Sequence, residues 1–384
     1  MTVASSGAGI RTTLVSSDGP SNQVEEIVNR LVSVVERLSD PRCSMEERER
    51  KMAELTEIGG SPLMLESVCV IISDLGRYPP QVGMEALNLL IREGVMKRWG
   101  QSADGPNGGR YFEASKDAVR STLQDAALAL ENSRMSGKAP IPKFLRSKLL
   151  SVIVEICIRD WPSAWTDIIT VLGNSAAAAN DCDQACFTID LVFELAEATD
   201  EKEGYVLAAN RRKAIVVGFS EFQPILFEML QHFLSAFPDR VQFSLSTVRM
   251  LRALCVMFRR CDFLLTLEID VYLMNILANT TDRHLALEVI STLQVFAENI
   301  SKPRPVALPE TMRPCSEAEL GRLILAICSL SEKVHVVIPT STGNEKLMLY
   351  RIQQLFSLSP AWCPSGREAL TTTDCLTSWL LANS

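Results

Sequence analysis

The sequence predicts an all-α fold, a HEAT-like helical-repeat solenoid in which helix pairs stack as an α-α superhelix. Three observations predict it. Apolar residues recur at spacings of three and four along most of the 384-residue chain. They mark roughly fifteen amphipathic segments and few alternating β-type stretches. Proline and glycine punctuate the segments so that one begins about every twenty residues, and pairs repeat at about forty, the HEAT period. Hydrophobic residues reach 47% while aromatics reach only 6%. Leu, Val, Ile and Ala therefore carry the core, as suits many packed helices.

The elements follow in order. Residues 1–20 are rich in Ser, Thr and Gly and read as a disordered amino-terminal tail. Gln23–Leu38 is amphipathic through Val24, Ile27, Val28, Leu31, Val34, Val35 and Leu38. Ser44 with Glu47 forms a capping box for a helix that Gly59-Gly60 stops. Ser61-Pro62 starts a third, with Pro at its first helical position. Pro79-Pro80 precedes a helix running to Trp99. Gln101–Arg110 reads as a loop and Tyr111–Asn132 as a helix, closed by a Pro-bounded turn at Ala139–Pro142. Leu145, Leu149, Val152, Ile153, Ile156 and Cys157 make one strong stripe. Pro162 disfavours αR at Trp161, so that helix ends near Asp160 and the next starts near Pro162. Gly173–Asn180 reads as a small-residue loop. Helices are expected over Ala185–Thr199, Ser220–Phe237, Val241–Phe258, Phe263–Ala278 and Arg283–Ile300. Residues 301–315 hold four prolines and read as a linker. Ser316 with Glu319 opens another helix, and Asn344–Ser357 makes one more.

The chain thus divides into a tail (1–20), a first block of repeats (21–172), a second block (173–300), a Pro-rich linker (301–315) and partial repeats (316–384). Leu376, Trp379, Leu380 and Leu381 are apolar where a terminal repeat would need a polar cap. The chain therefore reads as the amino-terminal part of a longer solenoid.

Bulk chemistry narrows the function. With 38 basic and 46 acidic residues the formal charge is −8, which suits a basic protein partner better than general nucleic-acid binding. The charge is uneven. From Asp181 to Glu203 eight acids face one Lys, a local −7; from Arg211 to Arg260 eight Lys/Arg face three acids, a local +5. Arg249 and Arg252 lie three apart on a predicted helix, with Arg259 and Arg260 further along, so a shared basic face is expected there. Eleven cysteines at irregular spacing, mostly inside apolar runs, fit a reducing compartment rather than a disulfide framework. No apolar run approaches the eighteen or so residues of a membrane span.

The sequence shows no recognisable catalytic, metal or cofactor pattern. His232, His284 and His335 lie in different segments. The first two stand beside helical core residues, which favours structural roles. Cys182 and Cys186 share a helical face but lack two further ligands for zinc. Gly105–Gly109 lacks the Lys-Ser/Thr ending of a phosphate loop, and no Gly-x-Ser-x-Gly elbow occurs.

Three stretches carry a family resemblance. Arg159-Asp160-Trp161-Pro162-Ser163-Ala164-Trp165 closely resembles the basic-acidic-Trp-Pro-x-x-Trp run of the exportin branch of the importin-β (karyopherin) superfamily. Gly83–Trp99, ending in Lys97-Arg98-Trp99, looks like the amino-terminal importin-β helix. Arg211-Arg212-Lys213 ahead of Ile225–Leu234 is most similar to the exportin-5 (HASTY) type, the exporters of short structured RNA. The likeness runs from about Ser21 to about Ile300. It implies that 21–172 holds importin-β-like and exportin-type repeats. It implies a nuclear export receptor that shuttles between nucleus and cytoplasm. Such a receptor would bind the small GTPase Ran in its GTP form through its first repeats, meet nucleoporins and carry structured RNA or protein. It implies no enzyme and no cofactor. Lys97, Arg98, Trp99, Trp161, Pro162 and Trp165 are expected to pack rather than to bind. Arg211, Arg212, Lys213, Arg249 and Arg252 are the candidate contacts with RNA or another partner. An importin, another exportin with protein cargo, or a HEAT scaffold outside transport are the competing readings.

Overall fold

The computed structural model describes residues 20–99, 109–135, 141–178, 182–199, 207–236, 241–258, 269–280 and 282–300. These residues form α1 (Pro20–Ser39), α2 (Met45–Gly60), α3 (Met64–Ser73), α4 (Pro80–Leu89), a π segment (Leu90–Val95), α5 (Gly109–Met135), α6 (Lys143–Asp160), α7 (Ile168–Ala178), α8 (Cys182–Glu197), α9 (Ala209–Ala236), α10 (Val241–Phe258), α11 (Ile269–Asn279) and α12 (Arg283–Ile300). Among them there is no strand. The all-α helical-repeat architecture is the one the periodicity predicts. Residues 1–19 of the expected tail, residues 101–108 of the expected loop, the linker and everything beyond residue 300 lie outside the described residues. So do Arg259, Arg260 and His335. Pro20, expected in the tail, opens α1, and Gly109 and Arg110, expected in the loop, open α5.

Two compact units divide between Glu155 and Ile156, within α6. In the first, α1 packs on α2, α3 and α4, and α3 packs on α4 and α5. In the second, α7 packs on α8 and α9, α8 on α10, α10 on α12, and α11 on α12. Contact between a helix and its second neighbour (α1 with α3, α3 with α5, α7 with α9, α8 with α10, α10 with α12) is how a repeat array buries stripes that single hairpins leave bare. The stripe residues read from the sequence supply this core. Leu31, Val34, Leu149, Val152, Ile153, Ile156 and Cys157 are all but fully buried. Two buried threonines tie helices together: Thr188 donates to the Leu172 carbonyl and Thr292 to that of Val248, each at 3.3 Å.

Local chemistry sets the helix ends. The Ser44 hydroxyl accepts the Glu47 N–H at 3.3 Å, one half of the expected box. Glu47 does not reciprocate. Its carboxylate instead takes a bidentate pair from Arg37 of α1, at 2.5 and 2.8 Å. These hydrogen bonds hold the Glu47 carboxyl below its ordinary range. The α1–α2 corner is thus clamped by charge across the turn.

Several expected boundaries moved. The helix after the Trp-Pro corner begins at Ile168, not Pro162. The Asp160 carbonyl accepts the N–H groups of Ala164 and Trp165 and the Ser163 hydroxyl. That closes a turn and delays the new helix to the N-cap position of Asp167. The segment at residues 173–178, expected as loop, is helical, because its alanines are the best helix formers. The third helix starts at Met64 rather than Ser61-Pro62, since Ser61 turns its hydroxyl to the Leu63 N–H. The helix expected from Ser220 starts at Ala209, so Arg211–Lys213 lie on it. The helix expected to run to Trp99 passes through the π segment, closed by the Met96 N–H on the Ile91 carbonyl. His232 and His284 are exposed, not packed beside the core.

Phe187 of α8 is fully buried. Phe187→Ala should cost about 3–5 kcal/mol, the range for large aromatic truncation. Urea unfolding followed by circular dichroism checks this; a loss under about 1 kcal/mol would contradict the packing of α8 on its neighbours.

Candidate functional site

A helix leaves its last carbonyls without intrahelical partners. In this chain arginines from other helices meet them. Arg98 donates from Nη2 to the Gly59 carbonyl at 3.0 Å, at the end of α2. Arg211 does the same for α6. Its Nε donates to the Ile158 carbonyl at 2.5 Å, and its Nη2 to those of Cys157 (2.9 Å) and Trp161. Partial burial lowers the affinity of Arg211 for its proton, opposed by Asp160; a guanidinium stays charged regardless. Positive charge at a helix carboxyl end also opposes the helix dipole favourably.

Around Arg211 sits the Trp-Pro corner. Trp161 and Trp165 are 3% and 4% exposed. Trp161 meets Phe219 of α9 with ring centroids 4.9 Å apart and planes tilted by 60°. The Trp161–Pro162 peptide is cis. Gly218 makes the approach possible: a Cβ there would stand 2.8 Å from Trp161 Cη2 and 2.9 Å from Pro162 Cγ. The burial of Cys157 beneath this corner pushes its thiol well above the usual range. In the first unit, Trp99 is buried, with Lys116 Nζ and Arg120 Cζ each 5.7 Å from its ring centroid. Lys97 reaches Glu93 at 2.7 Å.

The five candidate contact residues do not gather into one basic face. Arg211 caps α6. Arg212 is half-buried and Lys213 exposed one turn into α9. Arg249 and Arg252 share the face of α10 that looks toward α12, where Glu288 holds both: Arg252 Nη1 lies 2.6 Å and Arg249 Nε 3.5 Å from its carboxylate. Arg249 Nη2 also stands 2.9 Å from His284 Nε2. Two surface features were not legible as sites in the sequence. One is a shallow groove of about 560 Å³ lined by Asn22, Glu25, Glu26, Asn29, Arg30, Ser33 and Glu54. The other is the exposure of Met45 (71%) and Met52 (50%) on α2 and of Met96 (62%) after the π segment. Helical periodicity marks an apolar residue off the stripe, but it gives no reason for its being there. Among the described residues, no group of three or more His, Cys, Asp or Glu side chains is placed to hold a metal.

Comparison with known proteins gives one relation to report. No family model matches the chain. Over 223 residues it is 20% identical to exportin-5 of Dictyostelium discoideum, a match that covers 56% of this chain and 17% of that protein. The chain is thus matched to less than a fifth of the length of that curated relative. This distant likeness supports an exportin-like relation at most.

Three substitutions test the corner. Trp165→Ala should cost about 3–5 kcal/mol. Arg211→Ala should cost about 2–3 kcal/mol, because charged donors to three carbonyls are lost while the end of α6 stays half-covered. Arg211→Lys should recover only part, lacking the planar fork. Thermal melting reads all three. An unchanged melting temperature in Arg211→Ala would remove the capping role.

Proposed function

We propose that this chain serves in a nuclear export receptor of the karyopherin kind. It binds Ran-GTP through the repeats of residues 21–172, contacts nucleoporins and shuttles between nucleus and cytoplasm with structured RNA or protein as cargo. The observation that carries this reading is the 223-residue likeness to exportin-5, borne by a helical-repeat fold with a buried Trp-Pro-x-x-Trp corner. The surface of α2 supports a protein partner near the amino terminus. Exposed Met45 and Met52 stand among exposed side chains of both signs, Glu46, Glu49 and Arg50 among them. Flexible thioether side chains adapt to a partner's shape.

Protein cargo is the second reading. The engagement of Arg211 with carbonyls and of Arg249 and Arg252 with Glu288 leaves less free positive charge than the local +5 implies. The local −7 of residues 181–203 suits basic protein.

Calorimetry with purified Ran tests the reading. The chain should bind the GTP form and not the GDP form. Met45→Asp with Met52→Asp should weaken that binding by about tenfold, the scale of losing an interface anchor, with melting unchanged. Equal affinity for both nucleotide states would instead favour a HEAT scaffold outside transport.

A further inference from the structure

The outer face of α2 complements itself. The helix turns Leu55, Ile58 and Gly59 inward and packs on α1. Some of its charged side chains also turn back into their own unit. Glu47 holds Arg37, Arg48 reaches the carbonyls of Asp40 and Cys43, and Lys51 pairs with Glu54 at 2.8 Å. Outward from them stand Met45, Glu46, Glu49, Arg50, Met52 and Ala53, all exposed. Met45 and Met52 lie two turns apart and share one stripe. Glu46 and Arg50 lie one turn apart on its flank. The midpoint of the methionine pair falls between Arg48 and Glu49, and that of the charged pair falls on Arg48. Both pairs are therefore centred on nearly the same point of the helix.

We propose that this face is a self-association surface, on which α2 of a second copy docks antiparallel about a two-fold axis near Arg48 and Glu49. Such an interface is isologous, so every contact is made twice with the roles exchanged. Turning the helix about that axis sets Met45 against Met52 of the second copy, and Met52 against Met45 of the second copy. It likewise sets Glu46 against Arg50 of the second copy, and Arg50 against Glu46 of the second copy. Charge selects this occupant. A wholly basic partner would meet Arg50 unfavourably and a wholly acidic one would meet Glu46 so, while a second copy answers both signs with the same residues. The flexible thioethers adapt to each other across the axis. Two helical turns bury well under the roughly 1,200 Å² of a lasting interface. Glu49, near the axis, also meets Glu49 of the second copy, and like charge opposes the pairing. The dimer is accordingly weak and depends on concentration. This inference does not rest on the receptor reading; it adds that two copies cover the face until a tighter partner takes it.

Sedimentation velocity on the 384-residue chain tests it, at concentrations from about 5 to 500 μM, as a small interface requires. A reversible monomer–dimer equilibrium is expected. Glu46→Arg should weaken the dimer by about tenfold or more, because both ion pairs become like-charge contacts, and Arg50→Glu should do the same. The two reversals combined should restore it to within about twofold, since they rebuild the pairs with the signs exchanged. Glu49→Gln should tighten it about threefold by removing the repulsion at the axis. All these positions are exposed, so melting should not move. A chain that stays monomeric over the whole range overturns the proposal. So does a dimer that the single reversals leave intact or that the double reversal fails to restore, because the contact then lies on another surface. Ran-GTP binding by the Glu46→Arg chain is read separately, so failure of this inference is visible apart from failure of the receptor reading.

Discussion

A corner that buries the carbonyl end of a helix must supply donors for it, and among the described residues the packing at the ends of α2 and α6 depends on that demand. A buried carbonyl with no donor costs more than most single contacts gain. This chain answers with long cations. Arg98 covers the end of α2, Arg211 the end of α6, and Arg48 reaches the carbonyls of Asp40 and Cys43 between α1 and α2. An arginine can do this from a distant helix because its stem packs against apolar surface while its fork donates.

This use of arginine changes how the charge pattern should be read. Summed along the sequence, residues 211–260 look like a basic stripe. In three dimensions that charge is spent in different places: on carbonyls at one corner, on Glu288 at a helix pair. A local charge sum predicts a field only where the groups share a face and lack internal partners. Arg211 fails the second condition and is separated from Arg249 by a whole helix. Among the described residues Arg249 and Arg252 meet the first, and they meet it around a carboxylate contributed by another helix.

Fold class was legible because it rests on periodicity, which the sequence carries directly. The spans of α10 and α12 agree with the expected ones over their described residues, Val241–Phe258 and Arg283–Ile300. Boundaries failed where tertiary chemistry overrode local signals. Ser61-Pro62 is a fair helix start in isolation, yet the Ser61 hydroxyl closes a turn first. Glu47 is a fair box partner for Ser44, yet Arg37 offers a stronger bond. The π segment had no signal at all; it places Gly94 where its Cβ would lie 3.0 Å from Leu65 of α3, a fit only the assembled unit defines. Among the candidate residues, the packing of Trp99, Trp161 and Trp165 followed from their size and setting. The task of Arg211 did not, since its acceptors lie some fifty residues away.

The same reasoning bears on what a distant resemblance can carry. The residues that make this chain look like an exportin are corner residues: a Trp-Pro-x-x-Trp turn, a basic-Arg-Trp triplet and an arginine ahead of a long helix. Each meets a backbone demand at a helix end, and such a demand is the same whatever the solenoid carries. Corners of this type need only a fork-shaped donor, a large ring and a glycine at the close approach. Contacts with a partner answer to different rules, because an exposed face accepts almost any polar residue at little cost to the fold. A likeness held in corners therefore argues for architecture and says least about cargo.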